Sequence, residues 1–206
     1  MRLICFGDSW TAGHGVEIDK KYKEVAFPEK FIEKLREQNS WPRWVAEKIN
    51  IEYVNCGVCG SGNEYIFKNL NSMFENGFIQ EDDIIIIMFS YPYRYVKDEN
   101  DIVRLFWDFE KTLKNHKHFY FNSFFPTFKE ENFDVTKLPK SFISPNNCVS
   151  DILREYEINN DISVWEYESR SVWNDKKNFY EGDYHPNLLG YRIIGDYIYN
   201  SIKNNI

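Results

Sequence analysis

The segment that most restricts the fold is Ile84-Ile85-Ile86-Ile87-Met88-Phe89, entered through Asp82-Asp83. Six apolar residues in a row, four of them β-branched, offer no polar face to water, so a strand built from them must be covered on both sides. That demand is met by a parallel sheet with helices packed above and below it. The remaining pattern agrees, because strand and helix signals alternate along the chain. Residues 2–6 read as a first strand, Ile51 to Cys56 as a second and His118 to Asn122 as a fourth. Between them, Trp41, Trp44, Val45 and Ile49 recur at helical spacing behind Ser40 and Pro42. Residues 63–75 and 99–115 read as further helices. A last amphipathic helix opens at Pro186, with Leu189, Ile193, Tyr197, Ile198 and Ile202 on one stripe.

From Phe124 to Trp173 the periodicity fades, and prolines at 126, 139 and 145 predict an irregular insertion of loops and short helices. The 206 residues are therefore expected to form one α/β domain. In such sheets ligands bind at the carboxyl ends of the strands. Four segments follow predicted strands: Ser9, the 57–63 glycine stretch, Ser90 to Arg94, and Asn122 to Phe125.

A net charge of −7, with no Lys/Arg cluster among the aromatics, argues against a nucleic-acid or anionic-membrane partner. No apolar run reaches the length of a membrane span. The first strand begins almost at Met1, so a cytoplasmic location is expected. Cys56-x-x-Cys59 lacks a second ligand pair for zinc and reads as core and loop cysteines, with no metal site.

Chemistry is offered by two segments at opposite ends of the chain. Gly7-Asp8-Ser9 follows the first strand, which puts a hydroxyl at a strand-to-helix turn. Asp183-Tyr184-His185-Pro186 precedes the last helix and supplies an imidazole with a carboxylate beside it. A nucleophilic hydroxyl needs a base, and the base needs an orienting group; Ser9, His185 and Asp183 provide the three.

With these residues in place, the chain resembles the SGNH/GDSL-type serine hydrolases. The resemblance implies a flavodoxin-like three-layer α/β/α sandwich around a central parallel sheet. It also implies Ser9 as nucleophile, His185 as base and Asp183 as its acid. The family's second block is a glycine after strand two whose N–H joins the oxyanion hole, and within 55–63 Gly60 matches best. Two departures stand out. The family's third block, Gly-x-Asn-Asp, is replaced by Ser90-Tyr91-Pro92-Tyr93-Arg94, so its Asn donor is missing. Asn63 is the first expected replacement and Ser90 the second, beside the N–H groups of Ser9 and Gly60. The acid usually stands three residues before the histidine, where this chain has Gly182, which leaves Glu181 and Asp175 as alternatives to Asp183.

Asp8, Tyr91, Arg94 and Trp173 are expected to line the substrate site; Arg94 could equally pair with a nearby carboxylate. His14, between Gly13 and Gly15, reads as part of a flexible loop, and His116 and His118 as surface residues. The expected activity is hydrolysis of a small acyl ester, such as an O-acetyl group on a glycan, with no metal or organic cofactor. An O-acetyltransferase with a sugar acceptor is the nearest alternative, followed by a catalytically silent glycan- or protein-binding domain of the same fold.

Overall fold

The structure, a computed structural model, describes residues 1–14, 29–91, 94, 98–123, 134–143, 148–162, 164 and 185–206. In chain order the elements are β1 (Arg2–Gly7), α1 (Ser9–Ala12), α2 (Glu29–Asn39), α3 (Trp41–Ile49), β2 (Glu52–Gly57) and α4 (Asn63–Glu75). They continue with β3 (Ile84–Phe89), α5 (Glu99–Leu113), β4 (Lys117–Asn122), α6 (Val149–Asn160) and α7 (Leu188–Ile202). The strands pair in the order β2-β1-β3-β4, all parallel.

Alternation along the strands builds the two faces. Leu3, Cys5, Ile84, Ile86, Met88, Phe119 and Phe121 point to one side, where Trp41 and Val45 of α3, Leu153 of α6 and Ile194, Ile198 and Ile202 of α7 cover them. Ile4, Phe6, Ile85, Ile87, Phe89 and Tyr120 point to the other, against Ile66 and Leu70 of α4 and Phe106, Phe109 and Leu113 of α5. This is a three-layer α/β/α arrangement. Every residue of β3 is buried, as its unbroken apolar run requires. Phe89 stands in an aromatic cage, with ring centroids 4.6 Å from Phe106, 5.0 Å from Phe109 and 5.2 Å from Phe142.

The strands and most helices fall where the sequence pattern puts them; α2 is a helix that no expected element covers, and α6 and α7 differ in detail. α6 is a regular helix of 12 residues inside the stretch expected to hold loops and short helices. Its apolar residues Val149, Ile152, Leu153 and Tyr156 stand at helical spacing, and Val149, Leu153 and Tyr156 pack on the sheet, but the prolines ahead of them mask the pattern. α7 begins at Leu188 rather than at Pro186, because the Asn187 side chain accepts a hydrogen bond from Gly190 N (3.0 Å) and so acts as its cap.

At the amino ends of the strands, Asp83 ties β1 to β3. Its Oδ1 accepts from Arg2 N (2.9 Å), and its Oδ2 accepts from Arg2 Nη2 (2.7 Å) and Gln80 N (2.9 Å). Burial alone would raise this carboxyl, but the Arg2 and Gln80 donors more than offset it, and the group lies below its ordinary value. Arg2 is partly exposed, so the pair is half-buried, and hydrogen bonds to such a charged group contribute about 2 kcal/mol. Asp83→Ala is therefore expected to lower the unfolding free energy by about that amount at neutral pH, measured by urea titration. The folded pKa is depressed, so the contribution is present above the ordinary carboxylate value and is lost as pH falls below it. The parent and variant curves should then converge in acid.

Candidate active site

The register levels the strand ends, pairing Gly7 with Gly57 and Phe89 with Asn122, so the segments that follow them share one rim. The turn out of β1 is very tight. A Cβ on Gly7 would come within 2.9 Å of Met88 O, and one on Gly57 within 2.7 Å of Thr11 C. No side chain fits at either position, and the absence of both lets α1 start directly at the sheet edge.

Asp8 caps that short helix. Its Oδ1 accepts from Trp10 N (3.0 Å), and its carbonyl accepts from Thr11 N (3.1 Å) and Ala12 N (2.9 Å). Ser9 follows as the first helical residue, nearly buried. Asp8 itself is fully buried, and burial pushes its carboxyl from 3.8 up to about 6. The Trp10 N–H, the neighbouring Ser90 hydroxyl and the Arg94 charge favour its ionised form and limit the rise. Asp8 Oδ2 and Ser90 Oγ nonetheless complete no hydrogen bond of good geometry.

The glycine segment after β2 folds back onto β1. Val58 N donates to Gly7 O (3.0 Å) and Ser61 Oγ donates to the same carbonyl (3.2 Å). Gly60 sits in the left-handed region at φ +74°, which glycine adopts without strain. Its position faces open space, on the wall of a cleft of about 410 Å³ shared with Val58, Ser61, Tyr65 and Lys68.

Asn63 stands at the first position of α4, whose cap is Gly62, so its side chain does not cap the helix. It grips the end of β3 instead: Oδ1 accepts from Ser90 N (2.9 Å) and Nδ2 donates to Ser90 O (3.2 Å). One of the two Nδ2 hydrogens is thereby committed to Ser90. Arg94 Nη1 donates to Ser61 O (3.2 Å). Its guanidinium thus holds the glycine segment, and its charge favours the ionised form of buried Asp8. Tyr91 is half-buried beside it.

His185 is buried just ahead of α7. That helix is drawn against α3 at Gly195, where a Cβ would come within 2.6 Å of Trp44 Cβ. The backbone before α7 is held by Asn187 N donating to Val164 O (2.9 Å). His185 Nε2 lies 3.2 Å from His14 Nδ1, with the rings edge to face at 4.4 Å between centroids. His14 is in turn tied to the Ser9 turn, its N–H donating to Ser9 O (3.0 Å). The segments carrying Ser9 and His185, from opposite ends of the chain, thus meet through His14.

Asp183, with the alternatives Glu181 and Asp175, and Trp173 and Tyr93 lie outside the described residues. Two readings of histidines change. His14 is not a loose loop residue, because Gly13 at φ +80° turns the chain back over α2 and Tyr191 Oη donates to His14 O (2.7 Å). His118 is largely buried rather than on the surface. Its Nε2 lies 3.0 Å from Glu110 Oε2 and 2.9 Å from Ser141 Oγ, at the end of β4 remote from the rim. Cys56 packs against Met73, with Sγ 3.5 Å from Sδ, and burial pushes its thiol up to about 12. Such a thiol is a core residue rather than a nucleophile. Among the described residues no three His, Cys, Asp or Glu side chains converge as metal ligands.

No family model matches the chain, and no curated protein matches it by sequence. Solved structures do. A lipolytic protein of the G-D-S-L family from Veillonella parvula aligns over 100% of both chains, with 17% identity and a TM-score of 0.51. A psychrotrophic esterase from Pseudoalteromonas sp. aligns over 98% of this chain and 97% of its own, with 13% identity and a TM-score of 0.54. A carbohydrate esterase family 2 enzyme from Corynascus thermopiles aligns over 98% of this chain and 65% of its own, with 15% identity and a TM-score of 0.53. The fold is that of the SGNH/GDSL-type hydrolases.

Asp8 yields a test by its sign. Its folded pKa is raised, so the native state is favoured while the group is protonated and loses stability as pH rises from about 4 through about 6. Asp8→Asn retains an oxygen to cap Trp10 and carries no charge. The stability of the variant relative to the parent should rise by about 3 kcal/mol at most between about pH 4 and about pH 8, read by urea unfolding across that range.

Proposed function

We propose that the protein is a serine esterase that hydrolyses a small acyl ester, with an O-acetyl group on a carbohydrate as the candidate substrate. The observation that carries this reading is the meeting of the His185 segment with the turn that begins at Ser9, on the carboxyl rim of the sheet. The fold shared with esterases supports it. So does the cleft beside Gly60, whose size suits a small ligand.

In the proposed reaction Ser9 Oγ adds to the ester carbonyl carbon while His185 Nε2 takes the hydroxyl proton. The carbonyl π pair moves onto oxygen, where the N–H groups of Ser9 and Gly60 receive it. Asn63 serves as the third donor through its remaining Nδ2 hydrogen, in place of the family's missing Asn. Its clamp on Ser90 would hold that hydrogen in one direction without reorganisation. Ser90 is the second candidate, its backbone N–H and carbonyl being held by Asn63. Collapse of the intermediate expels the alkoxide, which takes the proton from His185. Water then gives a proton to His185 as its oxygen adds to the acyl carbon; Ser9 Oγ leaves and is reprotonated by the imidazolium. Asp183 is the proposed partner of His185 Nδ1. Tyr91 is proposed to line the substrate site, and Asp8 and Arg94 to support the rim from within.

Turnover of p-nitrophenyl acetate should fall by about a thousandfold or more in Ser9→Ala. A fluorophosphonate probe should label the parent and not the variant. Parental activity in Ser9→Ala would exclude the reading, and absence of both activity and labelling in the parent would favour a binding domain. Within an active enzyme, Asn63→Ala should lower kcat by about a hundredfold with little change in KM, and Ser90→Ala by much less. The reverse order would move the donor role to Ser90.

A further inference from the structure

We infer that His14 is a positioning residue for His185: its ring supplies the resting hydrogen bond to the nitrogen that receives the Ser9 proton, and so selects the tautomer in which His185 acts as a base. The inference rests on the serine esterase reading for its consequence, but the contact itself is independent of it. His14 Nδ1 and His185 Nε2 are 3.2 Å apart, and the edge-to-face packing aims one ring at the rim of the other. Two nitrogens at that separation share a single proton; with none they present facing lone pairs, and with two, facing N–H groups.

The position of His14 is set by backbone, not by loop chance. Its N–H is bonded to Ser9 O, its carbonyl receives the buried Tyr191 hydroxyl, and Gly13 adopts the left-handed turn between them. A Cβ on Gly13 would lie 2.6 Å from Arg36 O, so the turn tolerates no other residue. One anchor lies on the nucleophile's own helix and the other on the helix that follows His185. The imidazole of His14 therefore bridges the two halves of the proposed active centre.

The polarity of the shared proton decides its effect. If His14 Nδ1–H donates, His185 keeps its lone pair on Nε2 and its proton on Nδ1, which is the form that can accept from Ser9 while Nδ1 faces a carboxylate. If His185 Nε2–H donates, the base is in the wrong tautomer. We assign the first polarity. Substrate binding then exchanges one donor for another at the same nitrogen, His14 giving way to the Ser9 hydroxyl, and the ring needs no tautomeric change before proton transfer.

Asparagine places its Nδ2 where histidine has Nδ1 and can donate, whereas leucine and aspartate cannot. His14→Leu and His14→Asp should lower kcat by about ten- to a hundredfold with KM little changed, while His14→Asn should recover most of the loss. Long-range proton–nitrogen NMR correlation on protein labelled with 15N-histidine gives a readout that needs no turnover. In the parent and in His14→Asn, His185 Nε2 should carry the shift of an unprotonated ring nitrogen, and in His14→Leu it should move towards a tautomer mixture. A protonated His185 Nε2 in the neutral parent would overturn the assignment, as would a His185 spectrum that His14→Leu leaves unchanged. Failure of the esterase reading would be seen separately, as absence of activity and fluorophosphonate labelling with the NMR contact intact. Circular dichroism on each variant confirms that the comparison is made on folded protein.

Discussion

The rest of the site depends on how closely the chain packs where β1 becomes α1. Gly7 lies against the backbone of β3, and Gly57 against the backbone of α1, at separations that leave no room for a side chain. With the backbone so confined, Asp8 is driven fully inside and Ser9 is delivered at the sheet edge rather than on a mobile loop. The same constraint sets the direction of α1, and through Gly13 it sets the position of His14. The proposed nucleophile, presented in this way, has little conformational freedom left to lose when substrate arrives, which is the entropic advantage of building a site on rigid elements.

Beneath Ser9 lies a polar layer in which few groups are independent. Asn63 uses both ends of its amide on the backbone of Ser90, Arg94 holds the carbonyl of Ser61, and Ser61 bonds Gly7. The layer joins the first, second and third strand ends in one network. Asp8 is its weak point, a carboxyl whose burial outweighs the donors around it. A buried group held out of balance in this manner is more often a feature of a working site than of a plain core.

At the opposite pole of the sheet, Arg2 and Gln80 satisfy Asp83, and the contrast with Asp8 is instructive. Both carboxylates are buried, yet one lies below its ordinary value and the other above it. The difference has two causes: Asp8 lies deeper, and it receives one backbone N–H on one oxygen, while Asp83 receives a guanidinium and two backbone N–H groups. The first arrangement holds the strands in register, and the second leaves an electrostatic handle next to the proposed nucleophile.

Much of this was legible in the residues themselves. Four parallel strands, the helices after them and the rim carrying Ser9, Gly60, Asn63 and Ser90 follow from apolar periodicity and from glycines placed after strands, because those signals act over a few residues. Helix α6 was hidden by the prolines ahead of it, although Val149, Ile152, Leu153 and Tyr156 stand at helical spacing. The clamp of Asn63 on Ser90 could not be read either, since it spans two strands' ends and depends on how far α4 enters the rim. His14 is the clearest case. Its flanking glycines suggest looseness when read along the chain, and only the arrival of α7, with Tyr191 and His185, shows that the turn at Gly13 holds an imidazole. Local pattern determined which residues could do chemistry; which of them meet was decided by contacts between the two ends of the chain, where sequence separation leaves no periodic trace.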